Sequence, residues 1–330
     1  MQTWSGLDAV PPTLGRSVVT IGVFDGVHRG HAVVVRTAVE LARAAGLPAV
    51  AVTFDPHPLA VLRPEAAPPL LTGVPRRAAL LGDLGVDAVC VLPFTTELSL
   101  LTPEQFVDTV LVGRLHVAAV VVGETFRFGH RAAGDVGVLA SLGEAHGTDP
   151  GAGFLVRAVR LAGSPEQRWS STAARARLAE GDVRGAAQVL GRPHRVEGTV
   201  VPGDRRGRTL GYPTANLSPD PPASALPGDG VYAGRLVLPE AVLPAAVSVG
   251  SNPTFSGVTR RVEAHVPGRD DLELYGRRVG VDFVERLRGM ERFASTADLV
   301  AAMTQDVARA LHVLEADGEE QADGVHDVRA

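Results

Sequence analysis

The sequence predicts a two-domain chain of α/β class: an N-terminal doubly wound parallel sheet, then a small antiparallel β-barrel with a terminal helix. Three observations predict it. The chain has 330 residues, long for a single core, so about two domains are expected. Its first half alternates short apolar runs with helical patterns, the order of an open parallel sheet covered on both faces. After about Leu190 the texture changes to short alternating runs punctuated by Gly, Pro and Asn, the pattern of a small barrel.

The apolar run Val18 to Phe24 reads as the first buried strand. A helix is expected from Ala32 to Ala45, with Val35, Val39 and Ala42 on one stripe and Gly46 as its stop. "AVAVTF", a helix near Pro75 to Leu84, "AVCVLPF", a helix near Pro103 to Gly113 and "VAAVVVG" continue the alternation. The segment "AAQVLGRPHRVEG" reads as the junction, giving domains at 1–186 and 187–315. Beyond it "RVEGTVVPG", "GVYAGRLVL", "AAVSVG", "RRVEAHV" and "RRVGVDFVERL" read as strands. In "VGVDF" the residues Val279, Val281 and Phe283 share one face. A last helix begins at Ser295, boxed by Asp298, and carries Leu299, Met303, Val307, Leu311 and Leu314 on one side. The acidic tail, 316–330, lacks aromatics and is expected to be disordered.

Composition narrows the function classes. At 45% hydrophobic and 21% charged, the chain is an ordinary globular one. A net charge of -5 argues against a nucleic-acid binder dominated by phosphate contacts. No run approaches the ~18 apolar residues of a membrane span, and "MQTWSGLDAV" lacks the basic start and apolar stretch of a signal peptide. A cytoplasmic protein with small-molecule partners, no nucleic acid and no membrane is expected, and a homo-oligomer stays open. Its single cysteine, Cys90, lies in an apolar run and reads as a core thiol.

The stretch "TIGVFDGVHRGH" then stands out, because it places Gly22, Gly26, Gly30, His28 and His31 where a strand hands over to a helix. In a doubly wound sheet, ligands bind beyond the carboxyl ends of the strands. Glycines admit phosphates to the backbone, and a helix start offers free N–H groups and partial positive charge. Two imidazoles there can hold a phosphate and stabilise charge on a leaving pyrophosphate. An isolated H-x-x-H more often caps a helix or lies on the surface, and less often binds metal. "WSSTAAR" is the second element. Ser and Thr before an Ala-rich run are an ordinary N-cap signature, yet hydroxyls followed one turn later by Arg175 also suit nucleotide phosphates. Together the two motifs resemble the HxGH and SSTxxR signatures of the nucleotidylyltransferase superfamily, which implies a Rossmann-like sheet and nucleotide transfer.

Other stretches narrow the substrate. "FDPHP" and "VGETFRFG" follow two further strands, so their rings and prolines can wall a flat ring at the same sheet edge, although single aromatics are more often core. In the second half, "GDRRGRTLGYPTANL" carries Gly203, Gly207, Gly211, Arg205, Arg206 and Arg208, followed by Thr214 and Asn216. Such a loop is usually a solvated turn, but the hydroxyl and amide oxygens two apart can ligate Mg²⁺. "RRVEAHV" sets Glu263 between apolar neighbours, where a carboxylate is costly unless it works, for example as a general base.

With these motifs in order, residues 16 to 314 resemble the bifunctional bacterial riboflavin kinase/FAD synthetase family. The ordered set includes "GVFDGVHRGH", "TFDPHP", "LGVDAV", "FRFG", "SSTAAR", "LAEGDV", "GRP", "GDRRGRTLGYPTANL", "DGVYAG", "NPTF", "VEAH" and "LYG". The resemblance implies that the barrel moves the γ-phosphate of ATP to riboflavin, giving FMN. Thr214 and Asn216 would hold Mg²⁺, the loop with Gly203 and Arg208 would cover ATP, and Glu263 would activate the hydroxyl. It implies that the N-terminal domain is an FMN adenylyltransferase that joins FMN to a second ATP, releasing pyrophosphate and FAD. There His28 and His31 would stabilise the transferring phosphate, with Arg175 as a third catalytic group. Gly22, Phe24, Asp25, Gly30, Ser171 and Thr172 would bind ATP, while Pro56, Pro58, Thr125, Phe126 and Phe128 would face the flavin.

Two places depart from the family's pattern. Thr125 replaces the usual Asn or Asp, and "VPGRDD" replaces the usual apolar pair and Asp after Glu263. Neither removes a catalytic group, so both bear on affinity rather than reaction type. Two other readings compete: a flavin-binding protein that kept its pockets and lost its chemistry, and a chain with one working activity.

Overall fold

The computed structural model describes residues 1–148, 153–160, 169–203, 210–254 and 257–326. Contacts divide the chain into two units, Met1–Pro68 with Val74–Trp169, and Pro69–Gly73 with Ser170–Ala330. That division falls earlier than the junction expected at 186/187, for a packing reason. Ala174, Leu178, Val183, Ala186 and Leu190, from two short helices before the barrel, share one core with Val196, Tyr232 and Phe283 inside it.

The first unit is a six-stranded, wholly parallel sheet. Its strands are β1 (Gln2–Ser5), β2 (Ser17–Ile21), β3 (Ala49–Asp55), β4 (Ala88–Pro93), β5 (Val117–Gly123) and β6 (Leu155–Val159), in the order β1-β4-β3-β2-β5-β6. Winding reverses between β2 and β5, where Val18 is paired with Ala49 on one side and Ala119 on the other. The carboxyl ends of those strands form the switch point of the sheet. The helices are α1 (Arg29–Ala45), α2 (Pro58–Leu62), α3 (Val74–Asp83), α4 (Thr96–Leu100), α5 (Pro103–Phe106), which continues as a π-helical turn Val107–Val112, and α6 (Val136–Ala145). Cys90 on β4 is a core thiol, and burial pushes its pKa up to about 12.

Three local expectations shift. The first strand ends at Ile21 rather than Phe24, because Phe24 leaves the strand at φ 50° and folds into the core beside Val27, Val35 and Leu81. Its apolar character reports that burial. The helix starts at Arg29, three residues earlier than expected, because His28 caps it. Strands β1 and β6 were not foreseen: β1 is short, and β6 is an edge strand whose residues are largely exposed, so neither shows a buried run.

The second unit opens with α7 (Ser171–Ala179) and α8 (Val183–Leu190). A closed antiparallel barrel follows: β7 (His194–Val201), β8 (Ala215–Pro219), β9 (Gly230–Val237), β10 (Val242–Thr254), β11 (Gly257–His265) and β12 (Arg278–Arg288). Val279, Val281 and Phe283 all point inward, each exposed by 4% or less, and burial of each such side chain is worth roughly 1.5–3 kcal/mol. The missed strand is β8, whose "ANLSP" is short and carries Asn and Pro, residues depleted in strands; it sets Asn216 opposite Glu263 of β11.

Helix α9 (Thr296–His326) closes the unit. At its start the Ser295 hydroxyl accepts from the Asp298 N–H at 3.1 Å and donates to the Asp298 carboxylate at 2.7 Å, as the sequence predicts. The disorder expected from residue 316 is not what this segment shows: the helix continues to His326, and residues 327–330 lie outside the described residues. Within it Ala316, Glu319, Glu320, Gln321 and Ala322 are good helix formers, and Asp317 pairs with Arg235 at 2.7 Å.

Candidate active sites

The histidine turn lies at the switch point of the parallel sheet. Phe24 (φ 50°), Gly26 (φ 82°) and Val27 (φ 40°) give it a left-handed backbone, which costs about 1–3 kcal/mol at each non-glycine position and clusters at functional sites. His28 caps α1: its Nδ1 accepts from the His31 backbone N–H at 3.2 Å. In the neutral ring the proton therefore sits on Nε2. The two imidazoles stack with centroids 3.6 Å apart, and the edge of Phe24 meets His31 at 5.2 Å. Gly30 is glycine for a steric reason, since a Cβ there would lie 3.0 Å from the His28 ring and 3.1 Å from the Trp169 carbonyl.

Electrostatics keep His31 uncharged. Burial, then the neighbouring His28 and Arg77, hold His31 well below the usual histidine range, and its Nδ1 is buried with no hydrogen-bond partner among the described residues. Arg77 on α3 was missed by sequence reasoning. It is 1% exposed, donates to Thr53 Oγ1 at 3.1 Å and to the Phe54 carbonyl at 2.9 Å, and feels the carboxylates of Asp25 and Asp55. An arginine inside an amphipathic helix reads as surface, so no sequence signal marked it. Asp25 is likewise buried, and Gly22 is narrow because the Phe24 ring stands 3.0 Å from where its Cβ would be.

The other residues expected on this sheet edge divide by burial. Phe128 is a core side chain, stacked at 5.5 Å under the half-buried Phe126 and packed near Phe106. Thr125 and Pro56 are exposed, and Pro58 opens α2 behind its cap, His57. Ser171, Thr172 and Arg175 lie on α7, in the second unit. The N-cap of α7 is Ser170, whose hydroxyl accepts from the Ala173 N–H at 3.1 Å, which leaves the Ser171 and Thr172 hydroxyls in the first turn. Arg175 donates from Nε to the Pro69 carbonyl at 2.7 Å.

In the barrel the expected polar set comes together. Thr214 Oγ1 stands 3.4 Å from Glu263 Oε2, and Asn216 faces Glu263 across the β8–β11 pair. Asn216 Oδ1 is buried and has no hydrogen-bond partner among the described residues. Gly203 lies against that amide, close enough that a Cβ would collide with it at 2.4 Å. Two cavities meet at Thr214. The smaller, about 90 Å³, is lined by Gly203, Asn216, Arg269, Leu274 and Tyr275. The larger, about 250 Å³, is lined by Tyr212, Glu263, His265, Met303 and Val307. Arg269, from the departing "VPGRDD" loop, borders the smaller cavity and is paired with Asp271 at 2.6 and 2.9 Å. Arg208 lies outside the described residues.

Comparison with known proteins agrees with this division. The FAD synthetase family profile matches residues 10–173, and the riboflavin kinase profile matches residues 190–314. Bifunctional riboflavin kinase/FMN adenylyltransferases from Escherichia coli K12 and Pseudomonas fluorescens are 36% and 37% identical. The first alignment covers 88% of this chain and 90% of the relative, the second 94% and 97%. A crystal structure of a macrolide-efflux protein from Streptococcus pneumoniae matches with a TM-score of 0.81 and 29% identity, over 93% of this chain and 97% of that one. Among the described residues no helix is long and apolar enough to cross a membrane. The chain belongs to the bifunctional riboflavin kinase/FMN adenylyltransferase family.

Proposed function

We propose that the barrel phosphorylates riboflavin to FMN and that the N-terminal sheet adenylylates FMN to FAD, each with its own ATP. The observation that carries the reading is the orphaned Asn216 Oδ1, buried beside Thr214 and Glu263 where two cavities meet. The apolar larger cavity suits a flavin ring, and the smaller one suits nucleotide phosphates. Glu263 takes the proton of the ribityl 5′-hydroxyl as that oxygen attacks the γ-phosphorus, and ADP leaves. Two uncharged oxygens, Thr214 Oγ1 and Asn216 Oδ1, fit a hard cation such as Mg²⁺, which would neutralise charge on the ATP phosphates. Gly203 and Arg208 belong to the loop that covers those phosphates.

In the sheet, a phosphate oxygen of FMN attacks the α-phosphorus of ATP and pyrophosphate leaves. His28 and His31 are stacked and act as hydrogen-bond donors to the transferring phosphate, His31 as a neutral ring. The first turn of α1, with Gly30, adds backbone N–H groups. Gly22, Phe24 and Asp25 shape the ATP side, and the family resemblance assigns the hydroxyls of Ser171 and Thr172 and the cation of Arg175 to ATP as well. Phe24 contributes through its backbone and by seating His31, since its ring is core. Pro56, Pro58, Thr125 and Phe126 face the flavin, with Phe128 as backing.

One incubation tests the whole reading. The purified chain with riboflavin, ATP and Mg²⁺ yields FMN and then FAD. FMN alone would leave only the kinase, and a bound, unchanged flavin would make this a flavin-binding protein.

A further inference from the structure

Thr214, Asn216 and Glu263 have assigned tasks in the barrel; His265 beside them has none. It stands two residues after Glu263 on β11, so strand alternation sends both side chains to one face, and both line the larger cavity. Only 9% of His265 is exposed. Its Nδ1 lies 2.8 Å from the carbonyl oxygen of Pro213. A carbonyl oxygen only accepts, so Nδ1 carries a proton and, in the neutral ring, Nε2 carries the lone pair. Pro213 has no N–H and a fixed φ, so that carbonyl is the handle by which the peptide entering Thr214 is held.

The same turn is held from a second side. Within α9 the Thr304 hydroxyl donates to the Val300 carbonyl at 2.8 Å. Its oxygen is thereby left to accept, and the Tyr212 hydroxyl donates to it at 2.7 Å. The Tyr212 ring also stands 5.2 Å from the His265 ring, tilted by 59°. Residues 212–214 are thus tied to β11 and to α9, the elements that wall the larger cavity. Thr214 Oγ1 donates to Glu263 Oε2 at 3.4 Å, which leaves the lone pairs of the hydroxyl oxygen to face a cation.

We infer that His265 is a positioning residue of the kinase site, whose Nδ1–H bond to Pro213 aims the Thr214 oxygen at the cation held with ATP. The inference rests on the assignment of the barrel as a riboflavin kinase. His265 touches no reacting atom in this role; it acts through Thr214. Tyr212 serves the same turn from α9.

Two substitutions in the full chain separate this role from simple packing. His265→Asn keeps a side-chain N–H close to the Nδ1 position, and His265→Gln moves it towards the Nε2 position. With His265→Gln, the Mg²⁺ concentration for half-maximal FMN formation rises about two- to twelve-fold, the range of one neutral hydrogen bond, while kcat at saturating Mg²⁺ is nearly unchanged. His265→Asn restores most of the loss, and Tyr212→Phe shifts the requirement in the same direction. FAD formation from supplied FMN, by the same chain, stays at the wild-type rate, and the retained kcat for FMN formation at saturating Mg²⁺ reports that the barrel is folded. Independently of activity, nitrogen-15 NMR of the wild-type imidazole shows the Nδ1–H tautomer.

An Nε2–H tautomer overturns the inference, and so does an unmoved Mg²⁺ requirement in His265→Gln. Should that variant fail to fold, the tautomer and Tyr212→Phe decide. A wild-type chain that makes no FMN overturns the kinase reading itself. One that makes FMN while His265→Gln keeps its Mg²⁺ requirement overturns only the role of His265.

Discussion

His31 is neutral because of where it sits: burial, the stacked His28 and the buried Arg77 all oppose a proton on it. The unfolded chain binds that proton below about pH 6.5, whereas the folded chain binds it only at lower pH. Stability from this residue is therefore fully present above about 6.5 and is lost as the pH falls towards the lowered value. An NMR titration should find the His31 imidazole still neutral at pH 6.5; a midpoint at or above that value would contradict the account. Thr125 carries a second prediction. Its short hydroxyl lacks the reach and the paired donor and acceptor of an asparagine amide. One neutral hydrogen bond is worth roughly 0.5–1.5 kcal/mol, so Thr125→Asn should lower KM for FMN by about two- to twelve-fold. The chemistry is at the phosphates, so kcat for FAD formation should hardly move. An equal or higher KM would show that the pocket has adapted around threonine. Among single residues, the histidines, Thr214, Asn216 and Glu263 were legible because their types are unusual for their places. Arg77 and His265 were not, because only the fold shows which partners they meet.

The turn from β2 into α1 is the element on which FAD formation depends most closely. Its glycines were legible as glycines, but the reason for them was not. The sequence suggested room for phosphate, whereas Gly22 and Gly30 make room for the rings of Phe24 and His28. Gly30→Ala should therefore displace His28 from its stack with His31. Overpacking of this kind costs about 1–3 kcal/mol, so thermal unfolding should shift down and FAD formation should slow, while riboflavin phosphorylation is unaffected. Wild-type FAD formation in that variant would show that the stack is incidental. The strand and helix boundaries were misread for a related reason. An apolar run shows burial, and Phe24 is buried without being in the strand. Conversely β8 is a five-residue strand of low strand propensity, paired on both sides by β7 and β11.

For the whole molecule, the parallel sheet and the barrel were legible from periodicity and from the change of texture near Leu190, but the packing boundary was not. Helices α7 and α8 read as the end of the first domain, yet their apolar faces complete the barrel's core. A fragment starting at Ser170 should accordingly unfold at a higher denaturant concentration than one starting at Ala187, with both showing kinase activity when folded. Equal midpoints would mean that the helices contribute nothing to the barrel.

Two chemistries reside in two separate sets of residues, and a pair of substitutions separates them. His31→Ala and Glu263→Gln are each supplied with ATP and Mg²⁺, once with riboflavin and once with FMN, and the flavins are separated. Loss of one transition-state donor typically costs about 10²-fold or more, so His31→Ala should convert riboflavin at the wild-type rate and stop at FMN. Glu263→Gln should leave riboflavin largely unconverted yet turn supplied FMN into FAD normally. If His31→Ala impairs FMN production as strongly as FAD production, the two sites are not independent and the account is wrong.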